Sequence, residues 1–110
     1  MYFWSENEGV IIGGSYKYPN DNDSICFYTE DGGDTWSERT NGLKGYCSGI
    51  HGIEDGSVLF ATGRTGTYYS RNKGVNWELF SDDKFYSVKM HGGKVYFTGR
   101  KGRVQVIEYE

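Results

Sequence analysis

The 110-residue chain has one proline, two cysteines and no long apolar run, and each scarcity narrows the possible folds. Cys26 and Cys47 fit neither a disulfide-dense scaffold nor a zinc motif, so we expect free thiols, with a single bridge left open. The longest apolar run, residues 9–13, is far shorter than the roughly 20 residues of a membrane-spanning helix. Met1 is followed directly by aromatic and acidic residues, which is unlike a signal peptide. The sequence therefore predicts no membrane insertion and leaves the compartment open.

An excess of basic residues is also absent. The net charge is −3, and lysines and arginines are scattered, which argues against nucleic-acid binding. His51 and His91 each precede a glycine, but a metal site needs three or four ligands held in a defined geometry. Asp21 and Asp23 lack the spacing of an EF-hand loop, which ends in a glutamate. We expect neither a metal nor a cofactor.

Aromatic residues and glycine, by contrast, are abundant. Aromatics make up 17% of the chain, and there are 17 glycines. Aromatic side chains favour strands and glycine favours tight turns. No stretch has a clear apolar period of 3.6 residues, so little helix is expected. The composition predicts an all-β protein with many hairpins.

Internal repeats are the strongest signal in the sequence. Residues 58–63 (Val-Leu-Phe-Ala-Thr-Gly) resemble residues 95–99 (Val-Tyr-Phe-Thr-Gly) and residues 10–14 (Val-Ile-Ile-Gly-Gly). Residues 29–36 (Thr-Glu-Asp-Gly-Gly-Asp-Thr-Trp) likewise match residues 70–77 (Ser-Arg-Asn-Lys-Gly-Val-Asn-Trp), offset by 41 residues. This spacing falls within the roughly 40–45 residues of a four-stranded propeller blade.

The repeat predicts a single module, residues 1–110, made of β-propeller blades that are four-stranded antiparallel meanders. The three units cover about residues 2–40, 42–82 and 84–110, and the last lacks its fourth strand. The chain would thus hold eleven strands, or about two and three-quarter blades. In the middle unit we predict strands at residues 46–53, 58–62, 67–71 and 76–80 because each run is bounded by Gly, Asp or Asn.

The two turn motifs carry a resemblance to a known family. Residues 29–36 match the pattern Ser/Thr-x-Asp-x-Gly-x-Thr-Trp fully, whereas residues 70–77 have Asn72 for the acid and Asn76 for the hydroxyl residue. This pattern resembles the Asp box of the BNR repeats, a superfamily of β-propellers with a sialidase-like fold. Residues 60–79 look most similar to its photosystem II stability/assembly factor-like branch. The resemblance implies that the boxes lie on the outside of a propeller and serve its fold.

Hairpin chemistry explains the residues of the boxes. A short Asp or Asn side chain accepts hydrogen bonds from backbone N–H groups of its own turn. Glycine supplies positive φ, and tryptophan offers a flat face to bury against a neighbouring blade. We therefore interpret Asp31 as a turn residue rather than a catalytic acid or metal ligand. The residues with structural roles are Asp31, Gly33, Trp36, Asn72, Gly74 and Trp77.

A candidate binding site lies on the face opposite the boxes, where strands two and three are joined. Arg64 and Arg100 hold equivalent positions in these turns. In the first unit the same turn is eight residues longer, and long loops on rigid scaffolds often carry recognition. Forked arginine donors suit an anionic or polar ligand or a protein partner. Alternatively, the arginines stack on aromatics or solvate a turn. The candidate residues are Arg64, Arg100, Lys101, Arg103, Tyr16, Tyr18, Asp21 and Asp23.

Three functions fit these observations. The first is a non-catalytic propeller module that binds a protein or glycan. The second is part of a sialidase-like glycoside hydrolase, but such a site draws an arginine cluster, a Tyr–Glu pair and an acid from several blades of a closed ring. The third is a purely structural virion or tail component. We expect no enzyme. Because closed propellers have four to eight blades, we expect self-association into a ring, or a longer propeller to which this chain belongs.

Overall fold

The chain is all-β, as its composition predicts. The computed structural model describes residues 1–15, 17–18, 20, 23–53 and 55–108, and these form three separate antiparallel sheets of three or four strands. A 3-10 turn at Arg100–Gly102 is the only helical element of the described residues. None of those residues forms a helix of the length and apolarity needed to cross a membrane.

Each sheet is a simple meander in which consecutive strands pair. Sheet 1 contains β1 (Tyr2–Phe3), β2 (Gly9–Ile12), β3 (Cys26–Thr29) and β4 (Ser37–Glu38). Sheet 2 contains β5 (Cys47–Gly52), β6 (Leu59–Gly63), β7 (Gly66–Ser70) and β8 (Glu78–Ser81). Sheet 3 contains β9 (Ser87–His91), β10 (Lys94–Thr98) and β11 (Val104–Glu108).

The sheets stack face to face, with sheet 2 in the middle. Because side chains alternate along a strand, neighbouring residues of β6 serve different interfaces. Leu59 packs with Val10 and Tyr28 of sheet 1, whereas Phe60 packs with Phe97 of sheet 3. The protein therefore has two apolar cores, one on each side of sheet 2.

The meander sends successive turns to opposite ends of the strands. Residues 29–36 join β3 to β4, and residues 70–77 join β7 to β8; we name these the first and second motif turns. The turns between β2 and β3, β6 and β7, and β10 and β11 consequently lie at the other end, which we name the groove end. The motif turns thus lie at one end of the strands, and the turns that join the second and third strands of each sheet lie at the other.

The cysteines are buried free thiols. Cys26 lies on β3 and Cys47 on β5, both in the core between sheets 1 and 2. Burial raises the pKa of each thiol to about 12. Both therefore act as small core residues, since a buried thiol with a raised pKa is not a reactive nucleophile.

Candidate functional site

A groove of about 920 Å³ opens at the groove end, between sheets 2 and 3. Its described lining includes four basic side chains and no carboxylate, although the chain as a whole is acidic. Tyr46 and Tyr86 also line it, and Tyr86 is 53% exposed. The four basic residues are Arg64, Lys84, Arg100 and Arg103.

The packing of sheets 2 and 3 explains why these residues meet. Arg64 occupies the two-residue turn between β6 and β7, and Arg100 opens the 3-10 turn between β10 and β11. The backbone N–H of Arg64 donates to the carbonyl of Tyr46 (2.9 Å), which fixes its turn against the inner strand. Gly63 permits this approach, because a Cβ there would lie 2.1 Å from the Tyr46 oxygen. Equivalent turns of adjacent sheets thus place two arginines in one groove.

Arg103 is held in place by its neighbours. Its Nη2 donates to Asp83 Oδ1 at 2.9 Å, and its guanidinium lies 4.8 Å from the centroid of the Phe85 ring. The hydrogen bond from Arg103 lowers the pKa of Asp83. Arg103 therefore stacks on an aromatic ring. Arg64 and Arg100 are exposed at the tips of their turns.

The remaining candidates do not line the groove. Lys101 is exposed, has a positive φ of 55°, and lies outside the lining. Tyr18 is 63% exposed, and its N–H donates to Ser15 Oγ at 3.0 Å. Asp23 is exposed and is also outside the lining. Tyr16 and Asp21 lie outside the described residues.

Sequence reasoning missed part of the groove. Asn20 is the described residue that the long first turn contributes, although Tyr18 and Asp23 beside it do not line the groove. Lys84 and Tyr46 come from the connections between sheets. These connections follow the fourth strand of each unit and so lie at the groove end. The predicted topology could therefore have placed Lys84 and Tyr46 at the groove end, although neither residue belongs to a recognisable sequence motif.

The first motif turn is closed by its own side chains. Thr29 Oγ1 accepts the N–H of Gly33 (2.9 Å) and donates to Asp31 Oδ1 (2.8 Å). The same Asp31 oxygen accepts the N–H of Thr35 at 2.9 Å, and Oδ2 accepts the Thr35 hydroxyl. Both carboxylate oxygens of Asp31 are thus engaged within the turn.

The second motif turn repeats these bonds with an amide. Ser70 Oγ accepts the N–H of Gly74 (2.8 Å) and donates to Asn72 Oδ1 (2.9 Å). Asn72 Oδ1 also accepts the N–H of Asn76 at 3.0 Å. A neutral amide oxygen therefore performs the task of the Asp31 carboxylate, which fits a role in the turn.

The stability of the chain at acid pH should depend on the ionised carboxylate of Asp31. The hydrogen bonds from Thr35 lower the pKa of Asp31 from 3.8 to about 2. Because the folded pKa is depressed, the stabilisation is present above pH 4 and is lost as the pH falls towards 2. We expect an NMR titration of the Asp31 carboxyl to give a midpoint near 2. Asp31→Asn should flatten the loss of stability between pH 4 and 2 relative to the unaltered chain. An equal loss in both proteins would contradict this role of Asp31.

The two motif tryptophans differ in burial. Trp77 is 4% exposed in the core between sheets 1 and 2, and its Nε1–H donates to the carbonyl of Arg39 at 3.0 Å. Trp36 is 38% exposed and meets the edge of the Phe3 ring. The difference follows from the stacking, because Trp77 packs back on sheet 1, whereas no sheet of the described residues covers Trp36 in the same way.

No group of three or more His, Cys, Asp or Glu that could hold a metal ion occurs among residues 1–15, 17–18, 20, 23–53 and 55–108. His51 Nδ1 instead accepts the N–H of Met90 at 3.0 Å. No protein-family model matches the chain, and no curated protein matches its sequence.

Proposed function

We propose that the chain is a non-catalytic β-propeller module that binds an anionic ligand, either a glycan or an acidic protein segment, at the groove end. The observation that carries this proposal is the gathering of four basic side chains in one groove of a protein with net charge −3. Asp83 compensates the charge of Arg103, so the excess of positive charge in the groove comes from Arg64, Lys84 and Arg100. Such a local excess favours anions at the groove.

The arrangement of the sheets supports the propeller architecture. The three sheets are meanders of the same strand order, stacked in sequence, and the described motif turns share one end. Residues 29–36 and 70–77 also share the bonds of the Thr29 and Ser70 hydroxyls and the backbone bond to Oδ1 of Asp31 or Asn72, as repeats of one blade type would. The resemblance to the BNR repeats fits these features.

The chemistry of the groove favours carboxylates over neutral groups. Arg64 and Arg100 present forked donors that match a carboxylate or phosphate. Tyr86, 53% exposed in the same groove, offers an aromatic face and a hydroxyl. Acidic sugars and acidic peptides both combine carboxylates with surfaces that stack on tyrosine. We therefore place the ligand in one of these two classes.

Self-association into a ring is the second part of the proposal. Sheet 1 leaves Trp36 exposed with Phe3 beside it, and sheet 3 leaves Tyr96, Val104 and Val106 exposed by 37% to 60%. Apolar surface of this kind commonly marks an interface. Joining sheet 1 of one copy to sheet 3 of another would continue the stacking seen within the chain.

Reversing the charge of both turn arginines tests the groove. We expect Arg64→Glu with Arg100→Glu to weaken binding of an oligogalacturonate or an oligoglutamate by about 10²-fold, since loss of a charge-assisted bond costs about 1.5–3 kcal/mol. Binding is measured by isothermal titration calorimetry at an ionic strength of about 0.15 M, where the Debye length is about 8 Å. Neutral oligogalactose is the uncharged comparison.

A matched variant separates local recognition from overall charge. Arg71→Glu with Lys89→Glu changes the net charge equally, and both residues lie outside the groove lining. This variant should retain binding within about threefold, because exposed charges beyond a Debye length are largely screened. Equal loss in both double variants, or no binding of either polyanion to the unaltered protein, would contradict the anion site.

A further inference from the structure

A second cavity, of about 370 Å³, lies between sheets 2 and 3 and is mostly apolar. Sheet 2 contributes Val58, Phe60, Tyr69 and Phe80, and β11 contributes Ile107. The ring of Phe80 meets those of Phe60 and Tyr69 edge-on, with centroids 5.5 and 6.2 Å apart. We name this cavity the aromatic cavity.

The junction between sheets 1 and 2 shows what fills the equivalent space. The repeat aligns four residues of sheet 1 with the four cavity residues of sheet 2. In this alignment Glu8 matches Val58, Val10 matches Phe60, Tyr28 matches Tyr69 and Arg39 matches Phe80. There, Trp77 is buried in one cluster with Val10 and Tyr28, and its indole donates to Arg39. Between sheets 1 and 2, therefore, the equivalent space is filled by Trp77, the residue directly before β8.

Sheet 3 presents both the cavity and an open edge. Its β11 pairs with β10, and no described strand pairs with its other side. In sheet 2, Tyr69 of β7 pairs with Glu78, the first residue of β8. The matching residue of β11 in sheet 3 is Val106. Suppose that an added strand pairs with β11 and that its first residue lies opposite Val106. The residue directly before that strand, which corresponds to Trp77 in sheet 2, would then lie at the aromatic cavity.

The end of β11 lacks the hydroxyl that closes the second motif turn. The register places Ile107 at the position of Ser70, whose Oγ accepts the N–H of Gly74. A second copy of the chain is a poor donor, because its tryptophan-preceded strands, β4 and β8, are already paired with β3 and β7.

We infer that the aromatic cavity and the β11 edge together form an acceptor site for an extended segment of a partner protein. The segment pairs with β11 as a fourth strand and inserts a tryptophan into the aromatic cavity. Main-chain hydrogen bonds to a free strand edge supply affinity, and a pocket for one side chain supplies specificity. This site differs from the anion groove in place and in chemistry.

The lining of the cavity defines the partner segment further. In the first junction, Glu8 pairs with Lys73 of the second motif turn at 3.3 Å. Val58 replaces Glu8 in the aromatic cavity, and Phe80 replaces Arg39, so the acid that pairs with Lys73 in the first junction has no counterpart at its position. The partner segment therefore carries apolar residues near its tryptophan. Arg71 and Glu108 line the same cavity and offer charges of both signs to its polar residues.

A peptide tests the acceptor site directly. The probe is a synthetic peptide with the sequence of residues 74–82, acetylated and amidated, which contains the tryptophan and the following strand. We expect calorimetry with the intact chain to show binding that falls about tenfold or more when the peptide tryptophan is alanine. Hydrogen exchange of the Val104–Glu108 amides should slow on binding. Absence of binding, or binding without that protection, would overturn the inference.

Two neighbouring residues of β8 provide a matched pair of chain variants. Phe80 is 44% exposed and lines the cavity, whereas Leu79 is 48% exposed and points away from it. Phe80→Asp should weaken peptide binding about tenfold or more, and Leu79→Asp should leave it nearly unchanged. Equal effects would overturn the assignment. Self-association that Phe80→Asp alone abolishes would make a second copy the occupant and overturn the partner assignment.

Discussion

Replacing Trp77 by alanine is expected to cost about 3–5 kcal/mol of unfolding free energy, the usual range for a large buried aromatic. Trp77 is 4% exposed, and its loss would leave both a cavity between sheets 1 and 2 and an Arg39 carbonyl without its indole donor. A domain of this size has a total stability of about 5–15 kcal/mol. The variant should therefore keep its fold at 25 °C with much less stability, so that its unfolding midpoint in denaturant, followed by circular dichroism, moves to a clearly lower concentration.

The same substitution at Trp36 should act on assembly instead. Trp36 holds the equivalent position in the first motif turn but is 38% exposed. We expect Trp36→Ala to lower the stability of the folded chain by only about 1 kcal/mol, because less surface is removed from the core. Light scattering should show a discrete oligomer for the unaltered chain and a shift towards monomer for Trp36→Ala. A monomeric unaltered chain, or a Trp36 variant as unstable as the Trp77 variant, would contradict ring formation.

Gly42→Ala is expected to be the most disruptive substitution of a glycine. A Cβ at this position would lie 1.9 Å from the carbonyl oxygen of Trp77, and its φ is +98°. Residue 41 is bonded to the same segment, since the N–H of Trp77 donates to the Asn41 carbonyl at 2.9 Å. Overpacking and a left-handed conformation together cost about 3 kcal/mol or more. At about 4–8 °C per kcal/mol, the melting temperature should fall by more than about 10 °C.

Two other glycines separate the causes of that loss. Gly92 has a φ of +58° and nothing within 4 Å of its Cβ position, so Gly92→Ala carries backbone strain alone. Gly63 lacks a positive φ, but its Cβ would lie 2.1 Å from the Tyr46 oxygen, so Gly63→Ala carries the clash alone. The order of melting temperatures should be Gly92→Ala highest and Gly42→Ala lowest. A Gly42 variant that melts with the Gly92 variant would show that the loop around Trp77 can move.

Much of the strand pattern could be predicted because it depends on local chemistry. The strands of sheet 2 fall within two residues of the predicted ranges at their starts and within one at their ends. The largest difference is at β8, which begins at Glu78 rather than at residue 76, because Asn76 and Trp77 still belong to the second motif turn. A hydrogen bond from Asn76 N–H back to Asn72, rather than to a strand, decides that boundary.

The groove was harder to predict, since it depends on how the sheets pack. Arg64 and Arg100 could be aligned by the repeat, and both line the groove. Lys101 follows Arg100 directly, but its left-handed conformation places it outside the lining. The sequence alone could not show that Arg103, unlike the other candidate basic residues, is held by Asp83 and Phe85, because these contacts form only when the chain folds.

The stacking of the sheets also determines how the chain can fold. Every strand pair joins neighbours in the sequence, so each sheet can form from its own hairpins before the others exist. Short-range pairing of this kind lowers the entropic cost of loop closure and favours fast folding for a β protein. Sheet 2, enclosed by partners on both faces, gains the most from its neighbours, while sheets 1 and 3 each gain from one. The molecule therefore behaves as a short linear array, in which each added sheet stabilises the sheet before it.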